Sequence, residues 1–299
     1  GRDLLALGGK RWRPLLLALT CRMCGGREDP AIALAPVVEL AHNGSLIIDD
    51  IEDGADLRRG APAAHLRHGL DLAINAGNLL YFLPSGYLAA AGLNTAIELQ
   101  VLRRYGAAML RLHYGQGLDI LWHREPGRMP AIAEYFAMCR AKSGSLAGLA
   151  AALGAVAARA PEPLVTLLGD AGAEFGVCFQ IIDDVRNLTT GNPGKRRGDD
   201  LVEGKKSLPV ILYCNRDDAS RRRMVALLQT CSAADSVDAA TDTVEEAISL
   251  MNEAGVIEEA RTMARQQYRA VMERLQAYPG LATGDAWEAL SHLTSALIG

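Results

Sequence analysis

The chain carries no surplus of positive charge: 31 lysines and arginines stand against 35 aspartates and glutamates, a formal net charge of −4. That balance excludes a nucleic-acid binder working by bulk attraction. Its six cysteines, at 21, 24, 139, 178, 214 and 231, lack the spacing of a disulfide framework. Cys21-x-x-Cys24 is the one close pair, and a zinc site would want a second pair or suitably spaced histidines, which are absent nearby. In apolar helical contexts free cysteine acts as a small hydrophobe, and a reducing cytoplasm fits. No signal peptide is read, and no apolar run reaches the ~18–20 residues of a membrane span, so no span is expected. The opening Gly1-Arg2-Asp3 falls inside a helical pattern, which points to a preceding segment. Alternating β-branched runs with hairpin turns are missing, as are long linkers and repeats of about 20–50 residues. Sandwiches, barrels, solenoids and separate domains are thereby set aside.

What is present is 49% apolar and 22% charged over 299 residues, a globular balance. Helical patterns run over 14–24, 30–52, 70–91, 95–122, 129–158, 163–188, 207–215, 219–230, 238–254, 257–278 and 284–297. Pro30 and Pro163 sit near helix starts, where a missing N–H is harmless. Many of these segments are apolar nearly all round, which implies a buried central layer. The expected fold is all-α, one large helical domain over 1–299 around a central cavity.

Two acidic clusters break the apolar pattern, Asp49-Asp50-Ile51-Glu52-Asp53 and Asp183-Asp184-Val185-Arg186-Asn187. Their first and last members stand at i and i+4, on one face of a helix. Leu46-Ile47-Ile48 and Phe179-Gln180-Ile181-Ile182 lead into them, so they are not solvated surface charge. Carboxylates in an apolar wall are costly unless neutralised, and a hard divalent cation does so well. Facing helices holding several Mg²⁺ ions follow, and Mg²⁺ usually arrives with a substrate phosphate. Gln180 lies three residues before Asp183, so amide and carboxylate can address one ligand.

The basic residues cluster too, at Lys10-Arg11-Trp12-Arg13, Arg58-Arg59, Lys195-Arg196-Arg197 and Lys205-Lys206. Localised positive charge on a mildly acidic protein suits a small polyanion. Gly8-Gly9 lets the backbone approach a ligand that Lys10 and Arg13 could bracket, and an ordinary helix start with surface charge reads the same residues equally simply. Arg58 and Arg59 are expected in a loop just past the first carboxylates. Lys142-Ser143-Gly144-Ser145, inside an apolar helix, is either a local break exposing a carbonyl to the cavity or a plain helix irregularity.

Together these segments resemble the trans-polyprenyl diphosphate synthase family, over almost the whole stretch from Gly8 to about Tyr213. The motifs from His42 to Asp53 and from Leu112 to Asp119 resemble geranylgeranyl diphosphate synthases of the eukaryotic type. The resemblance implies an all-α isoprenoid synthase fold and a Mg²⁺-dependent prenyltransferase that condenses isopentenyl diphosphate with an allylic diphosphate (dimethylallyl, geranyl or farnesyl). It implies that Asp49, Asp53 and Asp183 hold three Mg²⁺ ions and the allylic diphosphate, assisted by Arg58, Lys142, Arg196 and Lys205. Gln180 and the backbone near Lys142-Ser143 would stabilise the carbocation. Lys10, Arg13, His42 and Arg59 would hold isopentenyl diphosphate, and the released diphosphate would take the final proton. A homodimer is expected on the same basis.

Asn187 stands where many relatives have aspartate; it can still ligate through its carbonyl, and geranylgeranyl-type relatives share it. Ser143 replaces a more usual threonine. Gly44 and Ala41, small and upstream of Asp49, would leave room for the growing chain, and the resemblance to the eukaryotic type makes Tyr81, Phe82 and His113 candidates for a deeper floor. This supports a C20 product, and Ala41 leaves C25 open. A class I terpene cyclase and a non-catalytic partner subunit are the alternatives. The first has no need of the second diphosphate site, and the second can lose its aspartate motifs, whereas the first motif is intact here.

Overall fold

The computed structural model describes residues 8–125, 127–191, 196–233 and 239–298. The expected helical opening at Gly1-Arg2-Asp3, Lys195 of the third basic cluster and the helix start at Asp238 lie outside these residues. The order is α1 (Trp12–Met23), α2 (Glu28–Glu52), β1 (Leu57–Arg58), β2 (Ala61–Pro62), α3 (Ala64–His68), α4 (Leu70–Ala90), α5 (Thr95–Arg124), α6 (Ile132–Ala157) and α7 (Glu162–Thr189). Then follow α8 (Asp199–Val202), α9 (Leu208–Cys214), α10 (Asp218–Ser232), α11 (Thr241–Glu253), α12 (Val256–Gln276) and α13 (Gly284–Ile298). The all-α expectation holds.

Local chemistry sets many of the boundaries. Glu28 and Asp29 place negative charge in the first turn of α2, where the helix dipole favours it. The Asn94 side chain caps α5 by accepting from Ala96 N at 2.9 Å. Asp217 does the same for α10, accepting from Ser220 N at 2.7 Å.

The centre is the pair α6 and α7, packed along most of their length, with α5, α1 and α2 around α6, and α12 on α7. From Gly144 to Ala157 every residue of α6 but Gly148 is buried. This is the all-round apolar layer expected from composition. Small residues make the contact close: a Cβ on Gly144 would lie 2.8 Å from Ala173 O, and one on Gly176 would lie 2.8 Å from Ser143 O. The α6 helix runs unbroken through Lys142-Ser143, so the alternative of a freed carbonyl there is set aside.

Two helices, α2 and α7, are long and apolar enough to cross a membrane by length and composition, and about half of each apolar stretch is buried inside the protein. Their polar residues are too sparse to break the window, because each buries one face in the core and turns only a narrow polar stripe to the cavity. All six cysteines are free thiols.

Candidate active site

One face of α2 supplies the first wall. Ser45, Ile48, Asp49 and Glu52 stand at helical spacing and all line a cavity of about 490 Å³. The opposite wall comes from α7, with Phe179, Gln180, Asp183 and Asp184 on the lining. The two acidic clusters, distant in sequence, therefore face one space. From α6 come Tyr135, Lys142 and Ser143, and from α5 His113, Gln116 and Asp119.

Lysines stand between the carboxylates. Lys142 Nζ lies 2.6 Å from Asp119 Oδ2 and 3.4 Å from Asp49 Oδ1. Burial alone would lower its pKa, but Asp119 and then Asp49 outweigh burial and hold it above the ordinary lysine value. Lys205 Nζ lies 3.3 Å from both Asp53 and Asp200 and also pairs with Glu203. It ties the end of α2 to the loop after α7, and these acids keep it charged against the cost of burial. Asp53 itself is covered: its side chain is 4% exposed and is absent from the lining.

Hydrogen bonds fix the second cluster. Ser143 donates to Gln180 Oε1 at 2.6 Å, and Gln180 Nε2 donates to Asp184 at 3.0 Å. Tyr135 donates to the other Asp184 oxygen at 2.6 Å, joined by Leu208 N at 3.2 Å. Burial nevertheless pushes the Asp184 carboxyl up to about 7. The close α6–α7 packing is what lets Ser143 reach Gln180.

A short hairpin distributes the arginine pair. Leu57 pairs with Pro62 and Arg58 with Ala61, and the turn residues Arg59 and Gly60 have φ of 53° and 75°. Positive φ at both turn positions is the geometry that suits two-residue hairpins. Arg58 thereby pairs with Asp50 and reaches Asp49 Oδ2 at 3.4 Å, while Arg59 bonds the Gly8 carbonyl.

The second half of the cavity is cationic. Lys10, Arg13, His42 and Arg59 line it together with Glu39. Arg13 Nη1 lies 3.4 Å from His42 Nε2, and its guanidinium sits 4.6 Å from the Trp12 ring centroid. Lys10 Nζ is 5.4 Å from the Phe179 centroid. Burial drops Arg13 to about 10. Burial, followed by Arg13, Arg59 and Arg58, drives the His42 pKa well below its ordinary value, leaving a neutral imidazole.

Several expected site residues fall elsewhere. Gly44 and Ala41 are buried and off the lining; a Cβ on Gly44 would lie 2.9 Å from Gly77 O and 3.1 Å from Leu80 Cβ, so Gly44 serves the α2–α4 crossing. Phe82 is 74% exposed and points away from the cavity, one position past Tyr81, which does line it. Tyr81 and His113, both on the lining, meet edge to face with centroids 5.0 Å apart. Arg196 is exposed and off the lining. Asn187 is fully buried, off the lining, and neither amide atom has a hydrogen-bond partner, so it cannot offer a ligand to the cavity.

Others carry chemistry that sequence spacing did not assign. Gln116 donates to Asp49 at 3.1 Å and to Glu52 at 2.7 Å, and Asp119 holds Lys142. Both belong to the Leu112–Asp119 motif, in which the glutamine and the aspartate one turn apart were the available signal. Ser45, Glu39, Glu52 and Lys206 also line the cavity.

Among the described residues no three carboxylate, histidine or cysteine side chains form a ready metal cage. That suits Mg²⁺, which keeps its waters and binds through one or two carboxylates plus substrate phosphate. Asp49 and Asp183, on facing walls of the cavity, fit such a cation.

With this geometry in place, the profile described as polyprenyl synthetase matches residues 1–248. The chain belongs to the polyprenyl synthetase family. It is a prenyltransferase that elongates trans-prenyl chains. It is 35% identical to a geranylfarnesyl diphosphate synthase of Aeropyrum pernix, across 92% of this chain and 86% of that one. It is 33% identical to a geranylgeranyl pyrophosphate synthase of Clitopilus passeckerianus, across 86% of this chain and 72% of that one. A solved polyprenyl synthase from Caulobacter crescentus CB15, complexed with calcium and isoprenyl diphosphate, superposes with a TM-score of 0.86 at 26% identity over 99% of this chain and 86% of that one.

Proposed function

We propose that this polyprenyl synthetase joins isopentenyl diphosphate head to tail to dimethylallyl, geranyl or farnesyl diphosphate and finishes at geranylgeranyl diphosphate, C20. The observation that carries it is the division of one cavity into two anion-binding halves. One half has carboxylates with Lys142, Lys205 and Arg58 for a metal-bound diphosphate. The other has Lys10, Arg13, His42 and Arg59 for a second diphosphate without metal. A terpene cyclase would have no use for the second half.

Asp49, Asp183 and, once Lys205 moves aside, Asp53 would hold three Mg²⁺ ions, which would supply positive charge to the departing allylic diphosphate. Lys142, Lys205 and Arg58 add cations where the bridging oxygen gains charge, and such pre-placed charge lowers the barrier to C–O cleavage. The Gln180 oxygen, fixed by Ser143, faces the allylic carbons as they become positive. Lys10, Arg13, Arg59 and neutral His42 orient isopentenyl diphosphate so that its double bond attacks that carbon. The released diphosphate takes the proton. Phe179, Leu112, Leu146 and Met138 on the lining exclude water that would quench the cation.

Tyr81 and His113 close the tail end of the cavity, which supports C20. The similarity to a geranylfarnesyl synthase keeps C25 as the neighbouring outcome. We further read the protein as a cytoplasmic homodimer, supported by its free thiols and by apolar faces left exposed on α4 and α5. Incubating the purified chain with isopentenyl diphosphate, farnesyl diphosphate and Mg²⁺, followed by chromatography, tests the reading: a C20 diphosphate is expected. Hydrocarbon or alcohol from geranylgeranyl diphosphate alone would favour the cyclase, and failure to elongate would favour a silent partner subunit.

A further inference from the structure

Lys142 is shared between two carboxylates with competing claims. Asp49 Oδ1 lies 3.4 Å from its Nζ, and Asp119 Oδ2 lies 2.6 Å away. Asp119 is buried, and its other oxygen lies 2.9 Å from His123 Nε2, one turn further along α5. A second lysine, Lys206, is 2% exposed, donates to Gly204 O at 2.8 Å and lies in the field of Asp119. Burial would raise the Asp119 carboxyl, but Lys142 and then His123 hold it far below the usual carboxylate range. Asp119 is thus a permanent anion in the back wall, placed where it contacts no expected metal ligand directly.

We infer that Asp119, seated by His123, is a positioning residue that draws Lys142 back from Asp49, leaving Asp49 to the metal ion and Lys142 to the allylic diphosphate. The inference rests on the roles proposed above for Asp49 and Lys142. Without the Asp119 charge, the nearest remaining anion for Lys142 is Asp49, and an ammonium ion-paired there competes with Mg²⁺ for the same oxygen. The result is a metal defect caused by a residue that binds no metal. A merely structural aspartate would not produce it.

The test is calorimetric titration of inorganic diphosphate at a series of Mg²⁺ concentrations into wild type, Asp119→Asn, Lys142→Ala and the double variant, with steady-state kinetics alongside. Asp119→Asn should raise the half-saturating Mg²⁺ at least about threefold and weaken Mg²⁺–diphosphate binding at least about fivefold, because truncating one partner of a buried charge pair releases the other. KM for isopentenyl diphosphate should stay within about twofold, since that half of the cavity does not touch Asp119. On the Lys142→Ala background the Asp119→Asn change should add less than about twofold, the signature of action through one shared partner. Equal effects on both backgrounds, or an unmoved Mg²⁺ dependence, would overturn the inference. Should Asp119→Asn fail to fold, His123→Leu keeps the carboxylate and should shift the Mg²⁺ dependence the same way, at least about twofold; no shift would overturn it equally. Wild-type protein that binds no diphosphate with Mg²⁺ would instead remove the functional reading underneath.

Discussion

His42 is surrounded by Arg13, Arg58 and Arg59, and burial first, then these cations, keep its imidazole neutral in the folded chain. Its folded pKa lies below the ordinary histidine value, so the unfolded chain binds the extra proton first as pH falls. Stability from this group is therefore complete above about pH 6.5 and is lost progressively below it. Thermal melts of metal-free protein from pH 7.5 to 5 should show a fall that His42→Gln makes shallower; parallel curves would remove His42 as the cause. At the metal side, Asp49→Ala or Asp183→Ala should lower turnover by at least about a hundredfold, because charge stabilisation of the leaving diphosphate is lost. Near-wild-type rates in either would sink the metal assignment. Asn187 behaves oppositely. Both amide atoms are buried without partners, so Asn187→Leu removes a desolvation cost of about 1–3 kcal/mol and should leave stability unchanged or higher. Turnover should stay within about threefold, and a collapse would restore a ligand role.

Glycine at helix crossings decides which side chains meet the substrate. On α2 and α4, Gly44 faces Gly77 O at 2.9 Å from a built Cβ, and a Cβ on Gly77 would lie 2.7 Å from Ile48 Cδ1. Gly44→Ala should therefore cost about 1–3 kcal/mol by overpacking, measurable by denaturant unfolding, without lengthening or shortening the product. Ser45, one residue on, turns about 100° and lines the cavity. Ser45→Phe should shift the product towards C15 by chromatography, and an unchanged distribution would take Ser45 off the tail's path. This single-residue difference shows what the sequence could and could not carry. Helix spans, the all-α class and both acidic clusters were legible because long apolar periodicity and carboxylates in apolar surroundings are strong local signals. Whether Gly44 or Ser45 faces the tail depends on how α2 is rotated against α4, which only packing fixes. The Leu57–Pro62 hairpin and α3 were illegible because two-residue strands and a five-residue helix leave no period to read. Lys205 and Gln180 stood out by proximity to the second acidic cluster and Lys142 as a lysine among small polar residues in an apolar helix, whereas the partners of Gln116 on α2 and of Asp119 on α6 appear only in the packed structure.

Across the whole molecule, exposed apolar side chains gather on two helices. On α5, Leu99, Leu110, Tyr114 and Leu121 are 46%, 76%, 70% and 39% exposed. At about 100° per residue, their positions fall within one narrow stripe. On α4, Leu72, Leu79, Phe82 and Leu83 form a second stripe, with Phe82 the most exposed at 74%. Helices that present apolar stripes to water carry interfaces more often than free surface. These two helices also supply Tyr81 and His113, the residues proposed as the cavity floor, so floor and stripes share the same helices. A second copy seated there would cover Phe82 and stiffen the floor from outside, linking assembly to chain length. Sedimentation equilibrium should show a dimer for the wild-type chain. A Phe82→Asp, Leu110→Glu variant should be monomeric, since each buried charge opposite an apolar partner costs several kcal/mol. If the floor depends on the partner, that monomer should also release a broader range of product lengths than the dimer. A double variant that remains dimeric would place the interface elsewhere, and a monomer making a single C20 product would show that Tyr81 and His113 hold the floor unaided.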